Sequence, residues 1–266
     1  MARILAVANQ KGGVGKTTTS VNLAAALAQA ARKVLLVDLD PQGNATMGSG
    51  VDKRTLARTV YHVLLGLGDI VNVRTRSPSG QYDLVPANRE LAGAEVELVE
   101  LPNREGRLRD ALAGITAQYD FVLIDCPPSL SLLTLNGLVA AQAVLVPMQC
   151  EYYALEGLTD LVGTIRRVRA HLNSGLEIAG LLRTMYDPRN TLSLQVSQQL
   201  ESHFGDKVYR TLVPRNVRLA EAPSYGAPAV VWDKSSKGAQ AYVALAEEIL
   251  AREETHEQGE RAGARA

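Results

Sequence analysis

Cysteine is scarce in this chain of 266 residues, which contains only Cys126 and Cys150. Two isolated cysteines form neither a disulfide framework nor a CxxC metal site, and both end apolar runs, so we predict small buried side chains. The four histidines are scattered and suggest no metal site. An excess of one charge is also lacking, because 28 basic residues balance 28 acidic ones. Overall charge therefore gives no argument for binding to nucleic acid.

Long apolar runs are lacking as well. No stretch reaches the roughly 20 apolar residues that a membrane-spanning helix needs. The N-terminal sequence has no long hydrophobic region followed by a cleavage site, so no signal peptide is expected. Hydrophobic residues make up 46% and charged residues 21% of the chain, which is typical of a globular protein. We therefore expect a cytoplasmic protein with a sizeable core.

The charges are distributed unevenly along the chain. Residues 81–125 contain four basic and nine acidic residues, whereas residues 166–218 contain nine basic and four acidic ones. This asymmetry favours one basic face, although two ordinary solvated surfaces would give the same counts. The basic residues of the second segment are Arg166, Arg167, Arg169, Arg183, Arg189, Lys207, Arg210, Arg215 and Arg218.

Short apolar runs bounded by turn residues alternate with helical stretches. Continuous apolar runs of this length are typical of strands that are buried on both faces. The alternation predicts an α/β fold, a mostly parallel twisted sheet with helices on both faces. The predicted strands are 4–8, 34–37, 82–85, 121–124, 143–147, 178–184 and 207–212, with an edge strand at 229–232. The predicted helices are 17–31, 104–117, 155–171, 192–204 and 238–252.

The remaining segments have weaker patterns. The sequence pattern of residues 43–81 predicts loops and short helix. Residues 253–266 are charged or small, and we expect a disordered tail there. The chain thus reads as a single domain of residues 1–252, followed by this tail.

The strongest motif follows the first predicted strand and opens the first predicted helix. Successive glycines let backbone N–H groups face a phosphate, and the helix N-terminus adds positive potential. The standard pattern GxxxxGK[ST] fails because its first glycine position is Gln10, so the segment is a deviant P-loop with an additional lysine. Lys16 would reach the β and γ phosphates of ATP, and the Thr17 hydroxyl would bind Mg²⁺. The motif is Lys11, Gly12, Gly13, Val14, Gly15, Lys16, Thr17 and Thr18.

Three aspartates at strand ends support a nucleotide site. Asp125 ends the run Phe-Val-Leu-Ile-Asp and has the form of a Walker B carboxylate, which can hold a water of the Mg²⁺ shell. Asp38 and Asp40 follow the second strand, and their alternate spacing places both on one side of an extended segment. The carboxyl ends of parallel strands meet at one edge of a sheet, where ligands bind.

These motifs together resemble the ParA/Soj class of partition ATPases, in its short chromosomal form. The resemblance rests on KGGVGKTT, VDLDPQGNAT, IDCPPSL, PMQCEYYALEGL and PRNVRLAEAPS, which occur in that order between about residues 3 and 250. It implies an ATP-dependent homodimer that binds double-stranded DNA without sequence preference and is stimulated by a ParB/Spo0J-type centromere-binding protein. It also implies slow hydrolysis of ATP with Mg²⁺ as cofactor, and a location on the nucleoid.

The resemblance also implies roles for individual residues. Lys11 resembles the lysine that reaches the nucleotide of the partner subunit, and Asp40 resembles the switch residue that orients the attacking water near the metal. Arg189 and Arg218 resemble arginines that contact DNA. The segment around the adenine is implied to consist of Met185, Pro214, Arg215 and Asn216.

Two alternatives within the same P-loop class stay open, together with a non-hydrolysing module that ATP merely locks as a dimer. A MinD-like division regulator would bind a membrane through a terminal amphipathic helix with bulky apolar residues. The C-terminal helix instead carries Glu247, Glu248, Glu253 and Glu254, and there is no Leu, Ile, Phe or Trp after Leu250. A nitrogenase-type iron protein would need cluster-binding thiolates, whereas Cys126 directly follows Asp125 and looks structural.

Overall fold

The computed structural model describes the backbone of residues 2–263 and the side chains of residues 2–255. One eight-stranded sheet organises this part of the chain. Its strands are β1 (Arg3–Val7), β2 (Val34–Asp38), β3 (Thr75–Arg76), β4 (Asp83–Val85), β5 (Phe121–Asp125), β6 (Ala143–Gln149), β7 (Glu177–Tyr186) and β8 (Val208–Pro214).

Twelve α-helices accompany these strands in the described part of the chain. Short 3-10 turns at Leu98–Glu100, Thr116–Gln118, Gly205–Lys207 and Ala222–Tyr225 extend or connect them. The helices are α1 (Lys16–Gln29), α2 (Asn44–Gly48), α3 (Val60–Leu65), α4 (Ile70–Val73), α5 (Leu91–Glu97), α6 (Arg107–Ala113), α7 (Leu132–Ala140), α8 (Ala154–His171), α9 (Thr191–Phe204), α10 (Val217–Glu221), α11 (Ala229–Trp232) and α12 (Lys237–Gly263).

The strand order is β3-β4-β2-β5-β1-β6-β7-β8, and every neighbouring pair is parallel except β3 with β4. The register places Asp125 of β5 opposite Val7 of β1 on one side and opposite Asp38 of β2 on the other. The P-loop, which follows β1, therefore begins beside the carboxyl ends of two strands that both finish in aspartate.

Side chains of the central strands alternate between two apolar cores, as the two-residue period of a strand requires. Leu123 packs into the core that contains α1, α11 and α12, whereas Val122 and Ile124 pack into the core beneath α3 and α5 to α9. Helices therefore cover both faces of the sheet. The predicted fold class, a mostly parallel sheet with helices on both faces, is confirmed.

One predicted strand is wrong. The segment Ala229–Trp232 forms the short helix α11, whose backbone N–H groups at Val231 and Trp232 donate to the carbonyl of Pro228 at 2.9 Å. Four apolar residues in a row do not distinguish a buried strand from a buried helix. Asn22 and Gln29 of α1 decide the outcome, because their side chains hydrogen-bond the backbone of Val230.

Other boundaries differ in smaller ways. Helices α5 and α7 and the antiparallel strand β3 were not predicted, and the helix expected over 104–117 is limited to Arg107–Ala113. The last helix extends to Gly263, beyond the predicted end at residue 252. The separation of a domain from a tail at that boundary stays a prediction, and residues 264–266 lie outside the described residues.

Candidate active site

The loop between β1 and α1 wraps around an open space at the sheet edge. Gly13 and Gly15 have φ angles of 73° and 89°, in the left-handed region that L side chains rarely adopt. A Cβ atom at Gly12 or Gly13 would meet nothing within 4 Å, so the loop is not covered by other parts of the described chain. Backbone N–H groups of such a loop and the N-terminus of α1 offer a site for an anion.

Two polar side chains, those of Asn9 and Thr184, hold the loop by hydrogen bonds. Asn9 accepts a hydrogen bond from the backbone N–H of Lys11 at 3.0 Å and donates to the carbonyl of Pro147 at 2.8 Å. On the opposite side, the Thr184 hydroxyl donates to the carbonyl of Val14 at 2.7 Å. Strands β6 and β7 therefore hold the curved loop in place before any ligand binds.

Gly12 and Gly13 differ in backbone conformation, so alanine should affect stability differently at the two positions. Both positions have room for a methyl group, but only Gly13 has a left-handed φ. We expect Gly13→Ala to lower the free energy of unfolding by about 1–2 kcal/mol, the cost of an L-residue in that conformation. Gly12→Ala is the matched control and should be neutral or slightly stabilising, because alanine restricts the unfolded chain.

Urea unfolding of the nucleotide-free protein measures both variants. Equal unfolding midpoints for Gly12→Ala and Gly13→Ala would show that the loop relaxes and holds no fixed left-handed residue.

Lys16 is a nearly buried cation, 7% exposed. Its Nζ donates to the carbonyl of Lys11, across the loop, at 3.0 Å. Burial lowers the pKa of Lys16, while the charges of Asp125 and Asp40 act in the opposite direction. An anion bound over the loop would favour the charged ammonium, so Lys16 suits the predicted role of phosphate ligand.

Asp125 lies beneath the first turn of α1 and is fully buried. Its two carboxylate oxygens accept hydrogen bonds from the hydroxyls of Thr17 and Ser20, each at 2.8 Å. Burial, together with the neighbouring charge of Asp38, raises the pKa of Asp125. A hydroxyl and a carboxylate joined in this way are oxygen donors of the kind that Mg²⁺ takes beside substrate phosphates. The residues present therefore fit the predicted magnesium site.

Asp38 and Asp40 have different surroundings. Asp38 is fully buried and accepts hydrogen bonds from the backbone N–H and the hydroxyl of Thr46 at 2.8 and 2.7 Å, which ties α2 to the end of β2. Asp40 is half-buried and accepts from the backbone N–H of Gln42 at 2.9 Å. The charge of Asp40 acts on both Lys16 and Asp125, so it lies close to the same site. Its role at the attacking water stays a prediction.

Lys11 is directed away from its own loop. Its Nζ forms an ion pair with Glu151, which lies just after β6, and both side chains are 40% exposed. The ammonium group is therefore accessible at the surface rather than inside the phosphate loop of its own chain. Sequence reasoning missed Glu151 as its partner, because the two residues are far apart along the chain and no motif links them.

The residues predicted to surround adenine come together at the carboxyl ends of β7 and β8, where Tyr186 pairs with Pro214. Met185 has a left-handed φ of 48°, a strained state that is most frequent at functional sites. It directly follows Thr184, which holds the phosphate loop. Asn216 caps α10 by accepting from the backbone N–H of Arg218 at 2.9 Å, and Arg215 is exposed. The binding of adenine here stays a prediction.

The predicted DNA-contacting arginines are both exposed. Arg189 is 88% exposed in its side chain and pairs with Asp187 at 2.9 Å. Arg218 is 54% exposed, pairs with Glu221 and Asp233, and lies 5.7 Å from the ring centre of Trp232. The basic segment 166–218 also counted Arg183, but that residue is buried against Ser197 and Glu201. The expected basic face is therefore smaller than the residue count suggested.

Comparison with known proteins identifies the family of this chain. A family model described as an AAA domain matches residues 2–178. The sporulation initiation inhibitor protein Soj of Bacillus subtilis is 51% identical over 251 residues, which is 94% of this chain and 99% of that protein. The chromosome partitioning protein ParA of Caulobacter vibrioides is 52% identical over 253 residues, 94% of this chain and 95% of that protein.

Solved structures agree with the fold. A crystal structure of cobyrinic acid a,c-diamide synthase from Mycobacterium smegmatis, with a bound ATP analogue and magnesium, has a TM-score of 0.85 and 41% identity, covering 96% of this chain and 97% of that one. The cell division ATPase MinD of Pyrococcus furiosus has a TM-score of 0.78 and 26% identity, covering 94% and 99%. Within the described residues, no helix combines the length and apolar character needed to cross a membrane. From its sequence identity and its P-loop architecture, the chain belongs to the ParA/Soj family of chromosome-partitioning ATPases.

Proposed function

We propose that this protein is an ATP-driven switch for chromosome segregation. Binding of Mg-ATP drives formation of a homodimer, the dimer binds double-stranded DNA of any sequence on the nucleoid, and slow hydrolysis, stimulated by a ParB-type partner, releases it. The observation that carries the proposal is the contact of Thr17 with Asp125 beneath the P-loop, in a chain about half identical to Soj and ParA. Lys16, Thr17 and Asp125 supply a cation, a hydroxyl and a carboxylate at this edge of the sheet, which supports a site for phosphate and Mg²⁺.

The division of roles follows from charge and position. Lys16 and the loop N–H groups hold the β and γ phosphates, and Thr17 and Asp125 hold the cation with Asp40 nearby. Magnesium, when bound, neutralises charge that develops on the phosphate oxygens. Asp40 orients the attacking water. No glutamate or histidine contacts these groups among the described residues, so no strong general base is available and turnover should be slow.

Lys11 adds the second lysine of the motif. Since its ammonium is exposed and paired with Glu151, it can leave that pair and enter the nucleotide site of a partner subunit. An added cation beside the transferring phosphate raises the rate by roughly 10³–10⁵ when an arginine supplies it. Hydrolysis would then require the dimer, so the slow rate of hydrolysis would set the lifetime of the dimer. Complete absence of phosphate release with DNA and a ParB-type partner present would favour a module that ATP only locks.

DNA binding is expected to depend on ATP and on exposed arginines. Within the described part of the chain, the Arg189 side chain pairs with Asp187 alone. Exposed pairs of this kind contribute little to stability, so phosphate can replace the carboxylate. Because each dimer presents Arg189 twice, Arg189→Ala should make the slope of log affinity against log salt shallower by about 2. Arg218→Ala should give a smaller change, because Arg218 must leave two carboxylates to reach DNA.

Biolayer interferometry on unrelated duplexes over a salt series, with an ATP analogue present, measures these slopes. Arg54→Ala is the matched control: Arg54 is 78% exposed and pairs with Asp52, two residues before it, in the same way as Arg189 with Asp187. If Arg189→Ala and Arg218→Ala bind DNA as the parent does at every salt concentration, the DNA face lies elsewhere, and Arg166 to Arg169 on α8 becomes the next candidate.

A further inference from the structure

A second concave surface lies at the opposite edge of the sheet from the P-loop. It is a cleft of about 430 Å³ at the amino ends of β2 and β4. The turn before β2 forms one wall, strand β3 forms another, and the segment that enters β5 closes the back. The charged and polar residues that line it are Arg32, Lys33, Arg74, Arg76, Gln81, Tyr82, Asp83, Gln118 and Tyr119.

Across the residues that the structure describes, three of the four cations in this cleft form no ion pair. Among the described residues, the side chains of Arg32 and Lys33 form no hydrogen bond or ion pair, and both are exposed. Arg74 is half-buried and donates only to neutral oxygens, those of Gln118 and the Tyr119 hydroxyl, both at 2.7 Å. Only Arg76 has an acidic partner, Asp83, at 3.3 Å. A partly buried guanidinium without an anion is unfavourable, and a bound anion would offset that cost.

Two acids lie in the surroundings, and both are already engaged. Asp83 accepts from the Tyr119 hydroxyl at 2.7 Å in addition to its pair with Arg76. Asp120 accepts from the backbone N–H of Lys33 at 2.7 Å, which fixes the turn that presents the two free cations. Ala31, at the start of that turn, has a left-handed φ of 59°. The backbone of the turn therefore places Arg32 and Lys33 at one wall of the cleft.

A larger cavity of about 740 Å³ near α9, β8 and α12 serves as a contrast. It also contains three arginines, but three acids accompany them, and two of the three arginines form ion pairs with those acids. Such a balanced lining has no preference for an anion. The charged residues of that cavity are Arg183, Arg210, Arg252, Glu201, Asp206 and Glu248.

We propose that the cleft at the amino edge binds a phosphate-bearing anion. Three unpaired cations from two separate segments match a ligand with several negative charges, and a guanidinium can hold two phosphate oxygens at once. Arg74 is oriented in advance by Tyr119 and Gln118. The cleft is distinct from the P-loop, and this inference does not depend on the proposed partition function. The phosphates could belong to a free polyphosphate or to a DNA backbone, and the recessed position of Arg74 favours the free form.

Titration calorimetry with inorganic tripolyphosphate tests the cleft while a non-hydrolysable ATP analogue and excess Mg²⁺ saturate the P-loop. We expect Arg74→Gln to weaken tripolyphosphate binding at least about tenfold, since it removes the most buried cation. Arg32→Gln should weaken it by a smaller factor, and it breaks no hydrogen bond or ion pair among the described residues, so the fold should be retained. Arg89→Gln is the matched control, because Arg89 is exposed and its side chain has no partner among the described residues, but it does not line the cleft.

The same variants are then compared for binding to a duplex over a salt series. Weaker tripolyphosphate binding with unchanged DNA binding assigns the cleft to a free phosphate ligand. A second outcome assigns the cleft to DNA phosphates: tripolyphosphate binding is absent in the parent or unchanged in both variants, while the slope of log DNA affinity against log salt becomes shallower in Arg74→Gln and Arg32→Gln. If both variants match the parent and the Arg89→Gln control for both ligands, the cleft binds no phosphate and the inference is overturned.

Discussion

Replacement of Lys16 by alanine should weaken the binding of a non-hydrolysable ATP analogue at least about a hundredfold, because it removes the charged donor that faces the phosphates. The remaining loop N–H groups and the N-terminus of α1 would still attract an anion, but as partial charges. Of the cations near the loop, only Lys16 is nearly buried, and Lys11 is engaged by Glu151 outside the loop. No other lysine of the loop can therefore replace it within the same chain.

The fold itself should tolerate this change. Lys16 makes one hydrogen bond, to the carbonyl of Lys11, and burial already disfavours its charge. Its removal in the nucleotide-free protein relieves a desolvated cation, but it costs one hydrogen bond and the attraction to Asp125 and Asp40, so these effects oppose each other. We expect an unfolding midpoint close to that of the parent, so that lost binding cannot be explained by lost structure.

Titration calorimetry with the analogue and Mg²⁺ provides the affinity, and thermal unfolding without nucleotide provides the stability. Lys234→Ala is a suitable control, because Lys234 is an exposed lysine far from the loop in sequence. Parent-like affinity in Lys16→Ala would contradict the assignment of this loop as the phosphate site.

The centre of the site could be predicted from sequence because its parts are local or lie at strand ends. Gly13, Gly15, Lys16 and Thr17 lie within five consecutive residues, so their order already specifies the loop. Asp125 is 108 residues from Thr17, but the end of a buried strand beside β1 fixes its position. Because β1 and β5 are adjacent parallel strands, their carboxyl ends lie side by side, which brings Thr17 and Asp125 into contact.

Contacts made by single polar side chains could not be predicted in this way. Glu151 follows β6 in a segment with no repeating pattern, and nothing in the sequence shows that it meets Lys11. Arg183 looks like any other arginine of a basic segment, although Ser197 and Glu201 hold it inside the protein. The helix at Ala229–Trp232 likewise depends on Asn22 and Gln29, which belong to another element.

Loss of hydrolysis is the expected result for both Lys11→Ala and Asp40→Ala, but for different reasons. Asp40→Ala should keep ATP binding and form a trapped dimer, because the residue is proposed to orient water rather than to hold phosphate. Lys11→Ala should keep ATP binding as a monomer and lose ATP-dependent dimerisation, because its ammonium is proposed to act on the partner's nucleotide. Light scattering with ATP distinguishes the two states. An Asp40→Ala protein that stays monomeric, or that hydrolyses ATP normally, would contradict its assigned role.

Mixing the two variants tests whether Lys11 acts across the dimer. In a symmetric dimer each site would take Asp40 from one chain and Lys11 from the other. A heterodimer therefore has one site that lacks both residues and one site that has both. Each heterodimer has one complete site of two, so its rate of hydrolysis should be about half that of a parental dimer. Phosphate release from the mixture, divided by the amount of heterodimer present, gives this fraction.

Action of Lys11 on the nucleotide of its own chain would give a different result in this mixture. Lys11 is paired with Glu151 of its own chain, outside its own phosphate loop, and Lys16 crosses that loop to the Lys11 carbonyl. If Lys11 acted on its own nucleotide, the complete pair of residues would never occur at one site of the heterodimer, and the mixture would stay inactive. The control is each variant alone at the same total concentration, and neither should release phosphate. An inactive mixture of Lys11→Ala and Asp40→Ala, with heterodimers demonstrated by a tag on one chain, would exclude action across the dimer.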